Sequence, residues 1–326
     1  MADIVEPVYS NVSLPDGAKL AYQVLGSEHI GCAVPLVLVC GMTSRRNDWD
    51  RLSSALSRQR PILLYDHRGM GDSTYSTPSG DDEVSMESLA KDLVFLIGSL
   101  KWKEVAICGW SMGGIIVQQL ALLPYHPERP VNLPFRISHL ILTATLGSPL
   151  RPAGAGQPRT GLQIAMDAPP PHTDAQKIAI MKPIAESFFD TEWLADAANQ
   201  PRRRWWITRY IAKRPMHTIA KQKAATAKFD LGGLHARIPR ATRVLVIHGK
   251  RDAVVPFSRG EELTRLIPHV ILLGIRKDTG YGLPNLDFGH AWWEYFDIQI
   301  WNDAIENFLN DVLPGDKRRR AGKAVL

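Results

Sequence analysis

The stretch Val105-Ala106-Ile107-Cys108-Gly109-Trp110-Ser111-Met112-Gly113-Gly114, followed by the apolar run Ile115 to Leu123, constrains the fold more than any other part of the chain. A short β-rich segment runs into Gly-x-Ser-x-Gly and then into a helical pattern. That is the strand, turn and helix context of a nucleophile elbow. The spacing has a steric cause. The serine occupies a strained turn, and Gly109 and Gly113 omit the Cβ atoms that would clash where strand and helix pass close together, with Gly114 extending the clearance. Gly-x-Ser-x-Gly also arises by chance, but chance seldom sets it between a buried strand and an amphipathic helix. A serine placed in this way needs a base, an acid and donors for an oxyanion.

The segments around it alternate. Residues 12–24 read as two strands about the turn Pro15-Asp16-Gly17. Pro35 to Cys40 and Pro61 to Tyr65 are near-continuous apolar runs, the pattern of strands buried on both faces of a parallel sheet. Between them a helix begins near Asp48 or Asp50, with Trp49, Leu52 and Leu56 on its inner face. Met86, Leu89, Leu93, Leu96 and Ile97 recur at helical spacing before the elbow strand. Further strands are expected at Arg136–Thr145, Thr242–His248 and His269–Leu273, and a closing helix at Ala291–Leu309, with Phe296, Ile300, Ile305 and Phe308 as its buried stripe. Strand and helix in alternation imply a mostly parallel, doubly wound α/β sheet whose ligands sit outside the carboxyl ends of its strands.

The alternation stops at residues 149–240. There a Gly-, Pro- and Ala-rich stretch leads into expected helices at Asp174–Phe188, Glu192–Lys213 and Pro215–Lys228. This predicts a core of residues 1–148 and 241–313, a helical cap at 149–240 and a basic tail at 314–326. Ile164, Met166, Ile178, Ile180, Met181, Phe188, Phe189, Trp193, Trp205 and Trp206 are the apolar residues of the cap. Most belong to its packing and the remainder to a pocket. Arg202-Arg203-Arg204, followed by two Trp, reads as a solvated helix start with aromatic packing behind it, with nucleic acid or an anionic substrate as the other reading.

With 326 residues and 45% hydrophobic content, the chain can bury a full core. Its formal charge of +6 invites a nucleic-acid reading. Lys317, Arg318, Arg319, Arg320 and Lys323 carry much of that excess, so it belongs to a solvated tail, with a nuclear address or an anionic partner as the other reading. The first residues lack the basic and apolar regions of a signal peptide, and no apolar run approaches the roughly 18 residues of a membrane span. An odd number of cysteines, Cys32, Cys40 and Cys108, in or beside expected buried strands argues against a disulfide framework. A cytoplasmic protein acting on a small molecule, without nucleic acid, metal or other cofactor, is the expectation.

Two residues after later strands supply what the serine lacks. Asp252 follows one strand in His248-Gly249-Lys250-Arg251-Asp252, and His290 stands in Phe288-Gly289-His290 after the last. The order Ser111, Asp252, His290 is nucleophile, acid, base. Each has a plainer reading, as a turn aspartate and a helix-start histidine. Asp287, only three residues from His290, reads better as a turn or cap residue. Backbone donors for the oxyanion are expected from Met112, after the nucleophile, and from Met42, in the loop after the first parallel strand. Cys40 reads as a buried strand residue, not a catalytic thiol.

Leu14-Pro15-Asp16-Gly17, Cys40-Gly41-Met42, Asp66-His67-Arg68-Gly69-Met70-Gly71-Asp72-Ser73, Gly109-Trp110-Ser111-Met112-Gly113-Gly114, Gly249-Lys250-Arg251-Asp252 and Gly289-His290 together resemble the α/β-hydrolase superfamily. In pattern they are similar to enol-lactonases, carboxylesterases and cofactor-free haloperoxidase-like hydrolases with a helical cap. The resemblance spans residues 10–145 and 240–310. It implies a serine hydrolase of a small carboxylic ester or lactone. The same residues also admit a thioester or carbon–carbon bond hydrolase, or a receptor-like relative with little turnover. Three departures stand out. Cys40 replaces the family's common His, the loop from Ile275 to Phe288 is long, and the elbow carries Ser where epoxide hydrolases and haloalkane dehalogenases have Asp.

Overall fold

The computed structural model describes residues 9–149, 168–169, 171–210, 212–274 and 281–310. Its strands are β1 (Ser10–Ser13), β2 (Lys19–Leu25), β3 (Leu36–Val39), β4 (Ile62–Tyr65), β5 (Glu104–Trp110), β6 (Arg136–Thr143), β7 (Arg243–Ile247) and β8 (Val270–Leu272). They form one sheet in the order β1-β2-β4-β3-β5-β6-β7-β8. β1 and β2 pair antiparallel, as does β2 with β4, and every other pairing is parallel. Because successive side chains alternate across a strand, the continuous apolar runs serve both faces. Leu36 and Leu38 join Trp49, Leu52, Trp301 and Ile305 on one side. Val37 and Val39 join Leu89, Leu93, Ile116 and Leu120 on the other.

The helices covering these faces are α1 (Asp50–Leu56), α2 (Met86–Ser99), α3 (Met112–Leu122), α8 (Phe257–Leu266) and α9 (Ile298–Leu309). Between β6 and β7 lie α4 (Asp174–Glu186), α5 (Thr191–Ala195), α6 (Gln200–Arg209) and α7 (Met216–Lys228). Two expected helices are broken. The one at Glu192–Lys213 is interrupted because the Asp196 side chain caps a short 3-10 turn at Ala197–Asn199, after which α6 starts with Pro201 in its first turn. The closing helix begins late. A 3-10 turn at Trp292–Glu294 gives way to Phe296 at a φ of 61°, and Asp297 caps α9. Phe296 is therefore outside the helix, Ile300 is half-buried, and Ile305 and Phe308 are buried.

The basic cluster on α6 is not simply solvated. Arg202 bonds Asp50 and Glu294 and so joins the inserted helices to neighbouring structure, whereas Arg203 bonds Glu186 and ties α6 to α4 within the insertion. Of the apolar residues expected in this segment, Met181, Phe188, Phe189, Trp193 and Trp206 are buried, Ile180 and Trp205 are partly covered, and Ile178 is exposed. Ile164, Met166 and the basic tail lie outside the described residues. Cys40 and Cys108 are fully buried, whereas Cys32 is exposed in the turn before β3. No helix among the described residues is long and apolar enough to cross a membrane.

Candidate active site

Ser111 sits between β5 and α3 with φ 55° and ψ −122°, a conformation costing of order 1–3 kcal/mol for a residue with a side chain. Its backbone is held on both sides. The Ser111 N–H donates to the Thr143 carbonyl at 2.9 Å, and the Ser111 carbonyl accepts from Thr145 Oγ1 at 2.6 Å and from the Gly114 N–H at 2.9 Å. The glycines leave no slack. A Cβ on Gly113 would lie 2.3 Å from the Val39 carbonyl oxygen, and one on Gly109 would lie 2.5 Å from that of Gly113. One on Gly114 would meet the Thr145 side chain at 2.4 Å. The elbow is thus fixed by backbone of the sheet itself.

Asp252 and His290, which stand 38 positions apart, meet in a buried pair, with His290 Nδ1 2.8 Å from Asp252 Oδ2. The other carboxylate oxygen accepts from the Val254 and Val255 N–H groups at 2.9 and 2.8 Å. Burial by itself raises the Asp252 carboxyl. The His290 charge and the hydrogen bonds from His248 and His290 outweigh it and bring the group down to about 2. An ionised carboxylate only accepts, so His290 Nδ1 is the donor of this hydrogen bond. The residue before the serine holds His290 in place. Trp110 Nε1 donates to the His290 carbonyl at 2.9 Å, and the two rings lie 5.2 Å apart. Asp287 is exposed and His290 Nδ1 faces Asp252 instead.

His248 is a participant that the sequence left inside a strand. Its Nε2 donates to the Val255 carbonyl at 2.8 Å and stands 3.5 Å from Asp252 Oδ2, so it fixes the loop that carries Asp252. A histidine directly ahead of Gly249 was the available signal.

On the other side of Ser111, Gly41 follows β3 and Cys40. A Cβ on Gly41 would lie 3.1 Å from Ser111 Cβ, so this loop presses against the serine. Met42 comes next and is half-buried; Met112 is the first residue of α3. The first N–H groups of a helix have no intrahelical acceptor, which leaves the Met112 N–H available beside the serine. The thiol of Cys40 is pushed well up by burial and by Asp48 and Asp66, the opposite of what a reactive thiolate needs. His67 Nε2 lies 2.9 Å from the Cys40 carbonyl, so a histidine from the next loop steadies this position.

Residues inserted between β6 and β7 complete the surroundings. Phe188 packs 5.6 Å from His290 and 5.2 Å from Trp110, with Tyr210 and Trp206 behind it. The Ala291 N–H donates to the Phe188 carbonyl at 3.1 Å. Tyr210, Arg214 and Gln222 contact Thr43, next to Met42. Sequence reasoning missed all three, because their partners are 167 to 179 positions away and each reads alone as an ordinary helix or loop residue.

A strained serine at the carboxyl end of a central strand, in a mostly parallel sheet with a buried Asp–His pair beside it, defines the class. The family model described as the alpha/beta hydrolase fold matches residues 34–279, and the chain belongs to that family of enzymes. Among its relatives is a protein of Pseudomonas savastanoi pv. phaseolicola that carries the name of a carbamate hydrolase, RutD. It is 26% identical over 239 residues, 73% of this chain and 83% of that protein. A hydrolase from Pseudomonas aeruginosa PA01 is similar in structure, with a TM-score of 0.69 and 27% identity over 92% of this chain and 98% of that one. The enol-lactonase of Burkholderia xenovorans LB400 shares the fold at a TM-score of 0.69 and 22% identity, covering 92% of this chain and all of the other.

Proposed function

We propose that this enzyme is a serine hydrolase that cleaves small carboxylic esters or lactones through an acyl-enzyme on Ser111. The observation that carries the reading is the buried Asp252–His290 hydrogen bond at 2.8 Å, fastened through Trp110 to the residue before the strained serine. Ser111 Oγ attacks the carbonyl carbon while its proton passes to His290 Nε2. Asp252 orients the imidazole and stabilises its positive charge. The N–H groups of Met42 and Met112 receive the oxyanion, each such donor contributing about 3–4 kcal/mol to the barrier reduction. Collapse of the intermediate breaks the bond to the alcohol oxygen, which takes the proton from His290. Water then attacks the acyl-enzyme with His290 again as base, releasing the acid and Ser111.

Buried Trp110, Phe188, Trp206 and Tyr210 supply an apolar wall around His290, which excludes water and suits an apolar substrate group. The helices α4 to α7 act as a cap that selects the substrate. The names of the relatives agree with acyl transfer to water. The test is a fluorophosphonate probe with competition by a panel of aryl esters, lactones, carbamates and thioesters. Ser111 is expected to be the labelled residue, and Ser111→Ala to lose at least about 1000-fold in ester turnover. Full turnover by Ser111→Ala, or failure of the folded protein to label, rejects the mechanism.

A further inference from the structure

The backbone is gripped on both sides of His290. The peptide joining Phe288 to Gly289 is held at both ends: its carbonyl accepts from the Arg251 N–H at 3.2 Å, and its N–H donates to the Tyr295 hydroxyl oxygen. The approach is close, since a Cβ on Gly289 would lie 2.5 Å from that oxygen. The peptide joining His290 to Ala291 is held in the same manner, its carbonyl by Trp110 Nε1 at 2.9 Å and its N–H by the Phe188 carbonyl at 3.1 Å. A peptide is planar and carries a Cα at each end, so these two units fix the Cα atoms of Gly289 and His290. The peptide between them spans two fixed points and keeps only a rotation about the line joining them. The direction in which the His290 side chain leaves the backbone is set by this clamp.

The Arg251 and Phe188 partners are main chain, and Trp110 adjoins Ser111, which leaves the Tyr295 hydroxyl as the separable part of the clamp. That hydroxyl is itself pinned by the segment inserted between β6 and β7. It donates to Asp190 Oδ2 at 2.8 Å and accepts from the Asp190 N–H at 3.1 Å. A phenolic oxygen has one proton and two acceptor sites. The Asp190 carboxylate takes the proton, and the second acceptor site is left for the Gly289 N–H. Asp190 is anchored in turn, because its other oxygen accepts from the Glu192 and Trp193 N–H groups at the start of α5, at 2.9 and 3.1 Å. The buried Tyr295 ring packs 6.3 Å from Trp193 and 6.5 Å from Phe288, contacts that a phenylalanine would keep.

We infer that Tyr295, oriented by Asp190, is a positioning residue that holds the Gly289 peptide and so fixes the bearing of the His290 side chain. The inference rests on the proposed role of His290 as base, and it gives the insertion a part in aligning that base. The effect passes through the Gly289 backbone.

The experiment measures kcat and KM on a small aryl ester, the rate of fluorophosphonate labelling and the melting temperature for wild type, Tyr295→Phe, Asp190→Ala and the double variant. Tyr295→Phe removes one oxygen and keeps the ring. Its kcat is expected to fall about 10-fold or more while KM stays within about twofold, and labelling to slow in proportion, because both reactions need an aligned base. Asp190→Ala is expected to lower kcat in the wild-type background but by less than about twofold more once the hydroxyl is gone, since Asp190 acts through it. A merely structural role lowers the melting temperature and leaves kcat, measured well below it, at the wild-type value. A kcat within about threefold of wild type in folded Tyr295→Phe, or losses that multiply in the double variant, overturns the inference. If Tyr295→Phe does not fold, Asp190→Asn is compared with Asp190→Ala. Asparagine keeps an oxygen for the hydroxyl and is expected to turn over at least about threefold faster, and equal rates overturn the inference. His290→Ala separates the two levels. An enzyme silenced by His290→Ala but indifferent to Tyr295→Phe loses only this inference, whereas full turnover by His290→Ala removes the mechanism beneath it.

Discussion

Two residues beside the same site carry a side chain at positive φ, Ser111 at 55° and Thr43 at 67°, and they are restrained by different parts of the molecule. Ser111 is locked by the core: Thr143 at the end of β6 and Thr145 just beyond it bond its backbone, and Gly109, Gly113 and Gly114 are packed against main chain and Thr145. Thr43 is locked by side chains from the insertion between β6 and β7, namely Gln222, Arg214 and Tyr210. The positive φ of Ser111 is therefore held from within the core, and that of Thr43 by side chains a long way off in sequence.

The largest expected effect breaks the core-held side. Gly113→Ala puts a Cβ 2.3 Å from the Val39 carbonyl and 2.6 Å from that of Cys40, main chain that cannot swing aside. Displacing the serine is expected to reduce turnover about 100-fold or more and to abolish fluorophosphonate labelling. A Gly113→Ala enzyme that labels at the normal rate shows that the sheet does not set the elbow.

Next is the insertion-held side. Arg214 is fully buried, and one of its nitrogens lies 2.6 Å from both Asp48 oxygens. Arg214→Met leaves that carboxylate buried without its cation and is expected to cost about 3–5 kcal/mol in urea unfolding. The same substitution lowers kcat, since Thr43 loses its carbonyl partner. Unaltered stability shows that the Arg214–Asp48 pair does not tie the insertion to the loop after β3.

The smallest effect concerns acid. Folding holds the Asp252 carboxyl at about 2, below its ordinary 3.8. A depressed carboxyl contributes stability that is fully present above pH 3.8 and is lost as pH falls through 2, about 2 kcal/mol in all. The gap in unfolding free energy between wild type and Asp252→Asn is accordingly expected to narrow by that amount between pH 4 and pH 2. A gap that stays constant places the carboxyl at its ordinary value.

The same contrast explains what could be read from the sequence. The elbow is legible because its sterics act between neighbours, so Gly109, Ser111 and Gly113 must fall at fixed spacing. Asp252 and His290 are legible because parallel strands deliver loops to one edge, and each follows a recognisable apolar run. The mostly parallel sheet follows from the same runs. Thr43, Tyr210, Arg214 and Gln222 have no such local sign. Their meaning lies in contacts between segments whose relative placement no periodicity encodes. The break in the closing helix at Phe296 is similar. Tyr295 is drawn out of helical register by its hydroxyl, which donates to Asp190 beyond α4 and accepts from the Asp190 N–H. Arg202 carries no local sign of its partners either, because Asp50 and Glu294 lie 152 and 92 positions from it.

Cys40 gives the loop after β3 a reporter of its own. Its sulfur is sealed and poorly acidic while the exposed Cys32 meets solvent freely, and its carbonyl leads directly into Gly41. In a Cys108→Ala variant, which removes the other buried thiol, a reagent in excess modifies Cys32 at once and Cys40 only during excursions in which the end of β3 parts from its cover. The slow phase of such a reaction counts those excursions, and its rate converts into the free energy of local opening beside the loop that distant side chains restrain.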